Sequence, residues 1–146
     1  MSQKLEIYQK FLDMDTDERN AYAKQTLDLM HKYLYQYYEE KVIVSYVISI
    51  FSVFSCADDT VNMAEYELFK YVTGARVSYD DFYETVKSGT SEELIEELYE
   101  LLASESEEFI EYVLVLVICI YSCDGTITVE EQEFVDNFFG ALRSNY

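Results

Sequence analysis

Acidic side chains recur at matching positions in two segments of this chain, and they are the residues best suited to chemistry. Asp58 and Glu65 lie in the first segment, DDTVNMAE, and Asp124 and Glu131 lie in the second, DGTITVEE. Carboxylate oxygens are the ligands that Ca²⁺, Mg²⁺ and Mn²⁺ prefer, whereas zinc and copper favour nitrogen and sulfur. The pattern therefore indicates a divalent-cation site made by Asp58, Glu65, Asp124 and Glu131.

The two aspartates occupy positions that are electrostatically unfavourable without a counter-ion. Each follows the predicted C-terminal end of an apolar helix, where the helix dipole and the free carbonyl groups disfavour an anion. A bound cation would reverse the sign of this interaction and relieve the repulsion among clustered carboxylates. Aspartate is also a common turn residue, so a purely structural role stays open.

The two glutamates have a structural alternative of their own. Asn62 and Glu65, like Thr128 and Glu131, have the spacing of the N-cap and N3 residues of a capping box. Such a cap contributes on the order of 1 kcal/mol to helix stability and requires no ligand. Glu65 and Glu131 are therefore candidates both for metal ligands and for helix caps.

The loops differ from a calcium-binding EF-hand. If Gly125 were the sixth loop residue and Glu131 the twelfth, the first would be Ile120, and in the other segment it would be Phe54. An EF-hand requires an oxygen ligand at its first position, so this class of site is excluded.

The residue patterns of common catalytic sites are missing from the sequence. His31 is the single histidine, no Glu-x-x-His pair occurs, and no glycine-rich phosphate loop is present. Cys119 and Cys123 lie four residues apart, and we interpret them as small buried hydrophobic residues, because a zinc site would need further Cys or His ligands. We therefore expect a protein without enzymatic activity.

The charge of the chain limits its partners. The formal net charge is −19, and residues 76–146, with 17 acidic and 3 basic side chains, carry −14 of it. Nucleic acids and anionic lipids are recognised by Lys and Arg, so neither is an expected partner. Cations and basic protein surfaces are compatible with this charge.

Neither a secretion signal nor a membrane span is evident. The start, MSQKLEIYQK, lacks an apolar region, and the apolar stretches 42–57 and 112–123 are shorter than the roughly 20 residues that cross a bilayer. We interpret these stretches as core helices, and we expect a cytoplasmic protein that does not insert into membranes.

The composition favours helices, because the chain contains no proline and only four glycines. Apolar residues recur with a helical period, most clearly in the stripe Ala23, Leu27, Met30, Leu34 and Tyr37. We predict a single all-α domain, a bundle of seven or eight helices. The predicted helices span residues 3–13, 16–39, 41–56, 62–73, 79–87, 91–103, 105–122 and 128–143.

Capping signals agree with these helices. Asp15 with Glu18, and Thr90 with Glu93, have capping-box spacing. Glycine commonly follows the last residue of a helix. On that basis Gly74, Gly89 and Gly140 are predicted helix ends.

The acidic loops belong to a longer internal repeat. Residues 46–74 align with residues 112–140 at a constant offset of 66, and seven of the 29 positions are identical. Each copy reads as an apolar helix, a short loop and an amphipathic helix, which predicts a pseudo-twofold pair of helix–loop–helix units. Asp59 stands where the second copy has Gly125, so the two loops would differ in backbone preference or in oxygen ligands.

The segments DGTITVEEQEF and DDTVNMAEYELF resemble the TerB-like tellurite-resistance domains. The resemblance implies an all-helical bundle with internal pseudosymmetry and an acidic cluster that binds divalent metal. It also implies a role in stress or metalloid resistance beside membrane-associated protein partners, without catalysis. By position, Asp58, Glu65, Asp124 and Glu131 would inherit the metal-binding role. The alternative is a protein–protein adaptor whose acidic, tyrosine-rich surface binds a basic partner and whose loop acids only cap helices.

Overall fold

A computed structural model describes residues 3–55, 63–87 and 91–143 of the chain, with side chains from residue 8 to residue 142 within those ranges. This part of the chain forms eight helices and no strand, which confirms the all-α prediction. The helices are α1 (Gln3–Leu12), α2 (Thr16–Leu34), α3 (Glu40–Ser55), α4 (Met63–Thr73), α5 (Tyr79–Val86), α6 (Glu92–Ala103), α7 (Glu107–Ser122) and α8 (Val129–Arg143). None of them is long and apolar enough to cross a membrane.

Helix starts follow the local signals closely. The side chain of Asp15 accepts a hydrogen bond from the backbone N–H of Glu18 at 2.8 Å, which confirms the predicted cap of α2. At α6 the cap is Ser91, whose Oγ accepts from the N–H of Leu94 at 3.5 Å. The predicted Thr90 cap was therefore one residue early, and Thr90 lies outside the described residues.

Two of the predicted glycine stops can be compared with the structure, and one of them is wrong. Gly74 has a φ of +69°, and its N–H donates to the carbonyl of Lys70 at the end of α4. Gly140 lies inside α8, which continues to Arg143. The roughly 1 kcal/mol that glycine costs within a helix is offset there by the complete burial of Leu142. Gly89 lies outside the described residues.

Helix α2 ends earlier than predicted. Its stripe of Ala23, Leu27, Met30 and Leu34 is fully buried, but Tyr37 remains 64% exposed because the helix has already ended at Leu34. The chain turns there, and the N–H of Tyr38 donates to the carbonyl of Leu34 at 2.9 Å.

Helix α7 lies at the centre of the bundle. It packs most extensively against α2 and also contacts α1, α3, α4 and α8. Its almost uniformly apolar sequence agrees with this position, because a helix surrounded by neighbours must be hydrophobic on every face. Aromatic rings join α3 to α8, where Phe54 stacks on Phe139 with ring centroids 5.8 Å apart. The α3–α4 and α7–α8 units follow the predicted order, and α3 and α7 each have 16 residues, but α4 has 11 residues and α8 has 15. Residues 56–62 lie outside the described residues, and the pseudo-twofold stays a prediction.

Candidate metal-binding site

Asp124 lies in the turn that follows α7. The turn closes through a 2.9 Å hydrogen bond from the N–H of Gly125 to the carbonyl of Ser122, and Gly125 adopts a φ of +92°. The Oδ1 of Asp124 accepts from the N–H and the Oγ1 of Thr126, at 3.1 and 3.2 Å. Asp124 is solvent-exposed, so its carboxylate organises the turn while remaining accessible to an ion.

Glu131 completes a capping box at the start of α8. Its Oε1 accepts from the N–H of Thr128 at 2.8 Å, and its own N–H donates to the Thr128 Oγ1 at 3.1 Å. The capping interpretation is therefore confirmed for the second copy. The Glu131 side chain is also buried, with 7% of its surface exposed, which is unusual for an acidic residue near a loop.

Glu65 lies in the first turn of α4 and is 4% exposed. Asn62, its proposed capping partner, and Asp58, the fourth proposed metal ligand, both lie outside the described residues. The capping and ligand roles proposed for the first copy therefore stay predictions.

The electrostatic surroundings of Cys123 show which acids come together. Burial is the largest cause that raises the pKa of this thiol, and the carboxylates of Glu65, Asp124 and Glu131 raise it further. These carboxylates come from the start of α4, the turn after α7 and the start of α8. The fold therefore brings three of the four proposed ligands close enough to act on one thiol.

Within the described ranges, no three His, Cys, Asp or Glu side chains are arranged as a metal-ligand set. Asp58 lies outside the described residues, so the four-carboxylate set stays a prediction.

Arg19 is a buried cation beside this acidic group, and the sequence analysis did not single it out. Its guanidinium donates to the carbonyl oxygens of Phe11, in the last turn of α1, and of Met14, just beyond that helix, at 3.0 and 2.7 Å. Its positive charge lowers the pKa of the Cys123 thiol and so opposes the carboxylates, which raise it. Nothing in the sequence distinguishes Arg19 from an exposed helical arginine, because its burial depends on the position of α1, which packs against α7.

The prediction of two buried thiols is confirmed for Cys119, whereas Cys123 is only partly buried. Cys119 is fully buried, and burial raises its pKa to about 12. Thiols with raised pKa values are protonated at neutral pH and are poor nucleophiles and metal ligands.

A second group of hydrogen-bonded side chains links the α2–α3 connection to the α6–α7 connection. Tyr38 donates to the Oε1 of Glu105 at 2.8 Å, and the Tyr33 hydroxyl accepts from the N–H of Ser106 at 3.2 Å. The hydroxyl of Tyr46 is buried nearby and has no hydrogen-bond partner in the described part of the chain. The sequence analysis did not predict these contacts.

No family model, curated protein or solved structure matches this chain. The resemblance to TerB-like domains therefore depends on the loop motifs alone.

Proposed function

We propose that this chain is a non-enzymatic, TerB-like domain that binds a divalent cation through Asp58, Glu65, Asp124 and Glu131. The observation that supports the proposal is that Glu65, Asp124 and Glu131, from three separate elements, all raise the pKa of the Cys123 thiol, and that Glu65 and Glu131 are buried. Burying carboxylates in one place is costly unless positive charge accompanies them.

The charge balance around the thiol favours a divalent ion. When all groups are ionised, the three described carboxylates and the Arg19 guanidinium leave a formal charge of −3 + 1 = −2 near Cys123, and Asp58 would add a further negative charge. A single Ca²⁺, Mg²⁺ or Mn²⁺ would offset most of this charge, and all three ions accept oxygen ligands. The exposed carboxylate of Asp124 offers the first contact for an ion arriving from solvent.

The test is a calorimetric titration of the metal-stripped protein with each of the three cations at physiological ionic strength. We expect a saturable isotherm that disappears in an Asp58→Asn/Asp124→Asn variant. The matched control is Asp17→Asn/Asp28→Asn, which removes two exposed charges from α2 and should leave the isotherm unchanged. Equal weak heats from all three proteins would contradict the proposal, because they would show only nonspecific screening of a −19 chain.

In the cell, such a domain would act in stress or metalloid resistance together with a membrane-associated protein. This part of the proposal rests on the resemblance of the segments DGTITVEEQEF and DDTVNMAEYELF to TerB-like domains.

A second candidate function is an adaptor that binds a basic helical segment, and the surface of α6 favours it. Ile95, Tyr99 and Phe138 line a shallow cavity of about 250 Å³, with Glu96 and Glu100 also in its wall. Leu101, two residues after Tyr99 on α6, is 39% exposed. Apolar anchors beside glutamates are complementary to an amphipathic helix whose polar face carries Lys or Arg.

The adaptor function would be tested with a synthetic amphipathic helix of leucine and lysine. We expect Tyr99→Ala and Glu96→Gln/Glu100→Gln to weaken the binding of this peptide. The controls are Tyr83→Ala and Glu92→Gln/Glu93→Gln, which change exposed positions outside the cavity and should leave the binding unchanged. Equal binding by all four variants would show nonspecific charge attraction and would contradict this function.

A further inference from the structure

An apolar cavity of about 300 Å³ opens between α3 and α5. Helix α4 and the segment 74–78 contribute to its wall, and His31 of α2 completes it. None of the residues proposed for cation binding lines this cavity. Its main apolar lining consists of Val44, Val47, Ile48, Val77, Phe82 and Val86.

The polar groups of the cavity are few, and most are already used. The Thr73 hydroxyl donates to the carbonyl of Phe69 at 2.6 Å, and the Thr85 hydroxyl donates to the carbonyl of Asp81 at 2.8 Å. These bonds occupy both hydroxyl protons of the wall. Because the two hydroxyls have no proton left to donate, the half-buried imidazole of His31 is the lining side chain that can donate a hydrogen bond to a ligand.

The size of the cavity is suited to a small organic molecule. An apolar protein cavity of about 150 Å³ stays dry and binds benzene, so this cavity has room for roughly twice that volume. Ligand pockets commonly combine an apolar wall with a small number of placed polar groups. The mouth is open, because Val44 at its edge is 52% exposed.

We propose that this cavity binds a neutral compound with a medium-length alkyl chain and one hydroxyl or carbonyl group. The chain lies against the valine and phenylalanine side chains, and the polar group forms a hydrogen bond with His31. The ligand is neutral because the net charge of −19 repels anions and because an apolar wall gives no compensation to a buried charge.

The experiment is a titration of the full chain with 1-octanol, followed by amide NMR and calorimetry, with octanoate and toluene as comparison probes. We expect saturable 1-octanol binding that shifts the amide signals of Val47, Val77 and Val86, and weaker binding of octanoate. Replacing His31 with Phe should weaken 1-octanol binding by about three- to tenfold, the effect of one hydrogen bond. Toluene, which forms no such bond, should bind the His31→Phe variant about as well as the parent.

Two blocking variants and one control complete the test. Val44→Phe and Thr85→Phe each introduce a ring at the mouth of the cavity, the first from α3 and the second from α5. Both positions are exposed, so folding should be little affected, and both variants should lose 1-octanol binding. Val42→Phe adds the same ring at a 43% exposed position of α3 outside the cavity and should bind normally. The proposal is overturned if no probe binds saturably, if folded blocking variants bind like the parent, or if octanoate binds more tightly than 1-octanol.

Discussion

The hydroxyl of Tyr38 donates a 2.8 Å hydrogen bond to the Oε1 of Glu105, a residue 67 positions later in the chain. The bond joins the turn after α2 to the turn before α7, and Glu105 is only 8% exposed. Both residues lie in turns that were predicted to be helical. Helix α2 ends at Leu34, before its predicted end at residue 39, and α7 begins at Glu107, two residues after its predicted start.

Removal of this hydrogen bond should destabilise the fold. We expect Tyr38→Phe to lower the free energy of unfolding by about 1–2 kcal/mol, because a buried carboxylate loses a donor. The measurement is urea denaturation followed by circular dichroism. The control is Tyr37→Phe at a 64% exposed position, and an equal loss in both variants would contradict the role of the bond.

Stability should also fall in alkaline solution. The hydrogen bond to Glu105 and burial raise the pKa of Tyr38 from 10.0 to about 12, and burial raises the pKa of Cys119 from 9.0 to about 12. Both groups hold their protons more tightly in the folded state, so their contributions are complete below the unfolded pKa values and are lost as pH rises towards 12. Denaturation midpoints measured from pH 8 upwards should decline through this window, and the decline should be smaller in Tyr38→Phe.

Arg19 should be important for stability. We expect Arg19→Met to lower the free energy of unfolding by at least about 2 kcal/mol, because buried carbonyls lose charged donors and the carboxylates near Cys123 lose a counter-charge. Lys24→Met, an exposed change on the same helix, should alter stability by less than about 0.5 kcal/mol. Thermal and urea denaturation would measure both, and similar values for the two variants would contradict this role.

The two roles of Glu131 can be separated by substitution. Glu131→Gln retains an oxygen that can accept from the N–H of Thr128, so stability should change little, whereas cation binding should weaken because a charged ligand is lost. Thr128→Ala removes the hydroxyl that accepts from Glu131 and should lower the free energy of unfolding by about 1 kcal/mol.

Calorimetry and urea denaturation on the same samples distinguish the two effects. Glu130→Gln, at the exposed neighbouring position, should change neither property. Unaltered cation affinity in Glu131→Gln would show that this glutamate serves only as a cap.

Local chemistry made much of the fold predictable. Asp15 caps α2 and Gly74, with its positive φ, ends α4. Both features depend only on residues close together in the chain, so they can be predicted from the sequence. The Thr128–Glu131 capping box is equally local, and its geometry follows from a spacing of three residues.

The sequence by itself determined the all-α class and most helix positions, and it offered the capping role of Glu131 as one of two alternatives. Only the tertiary structure decided that Arg19 is buried, that Tyr38 meets Glu105, and that Glu65 and Glu131 approach the same thiol. The physical reason is the separation in sequence between the interacting residues. Caps and helical periods involve residues within one or two turns, whereas burial and charge clustering depend on the packing of helices that are distant in the chain.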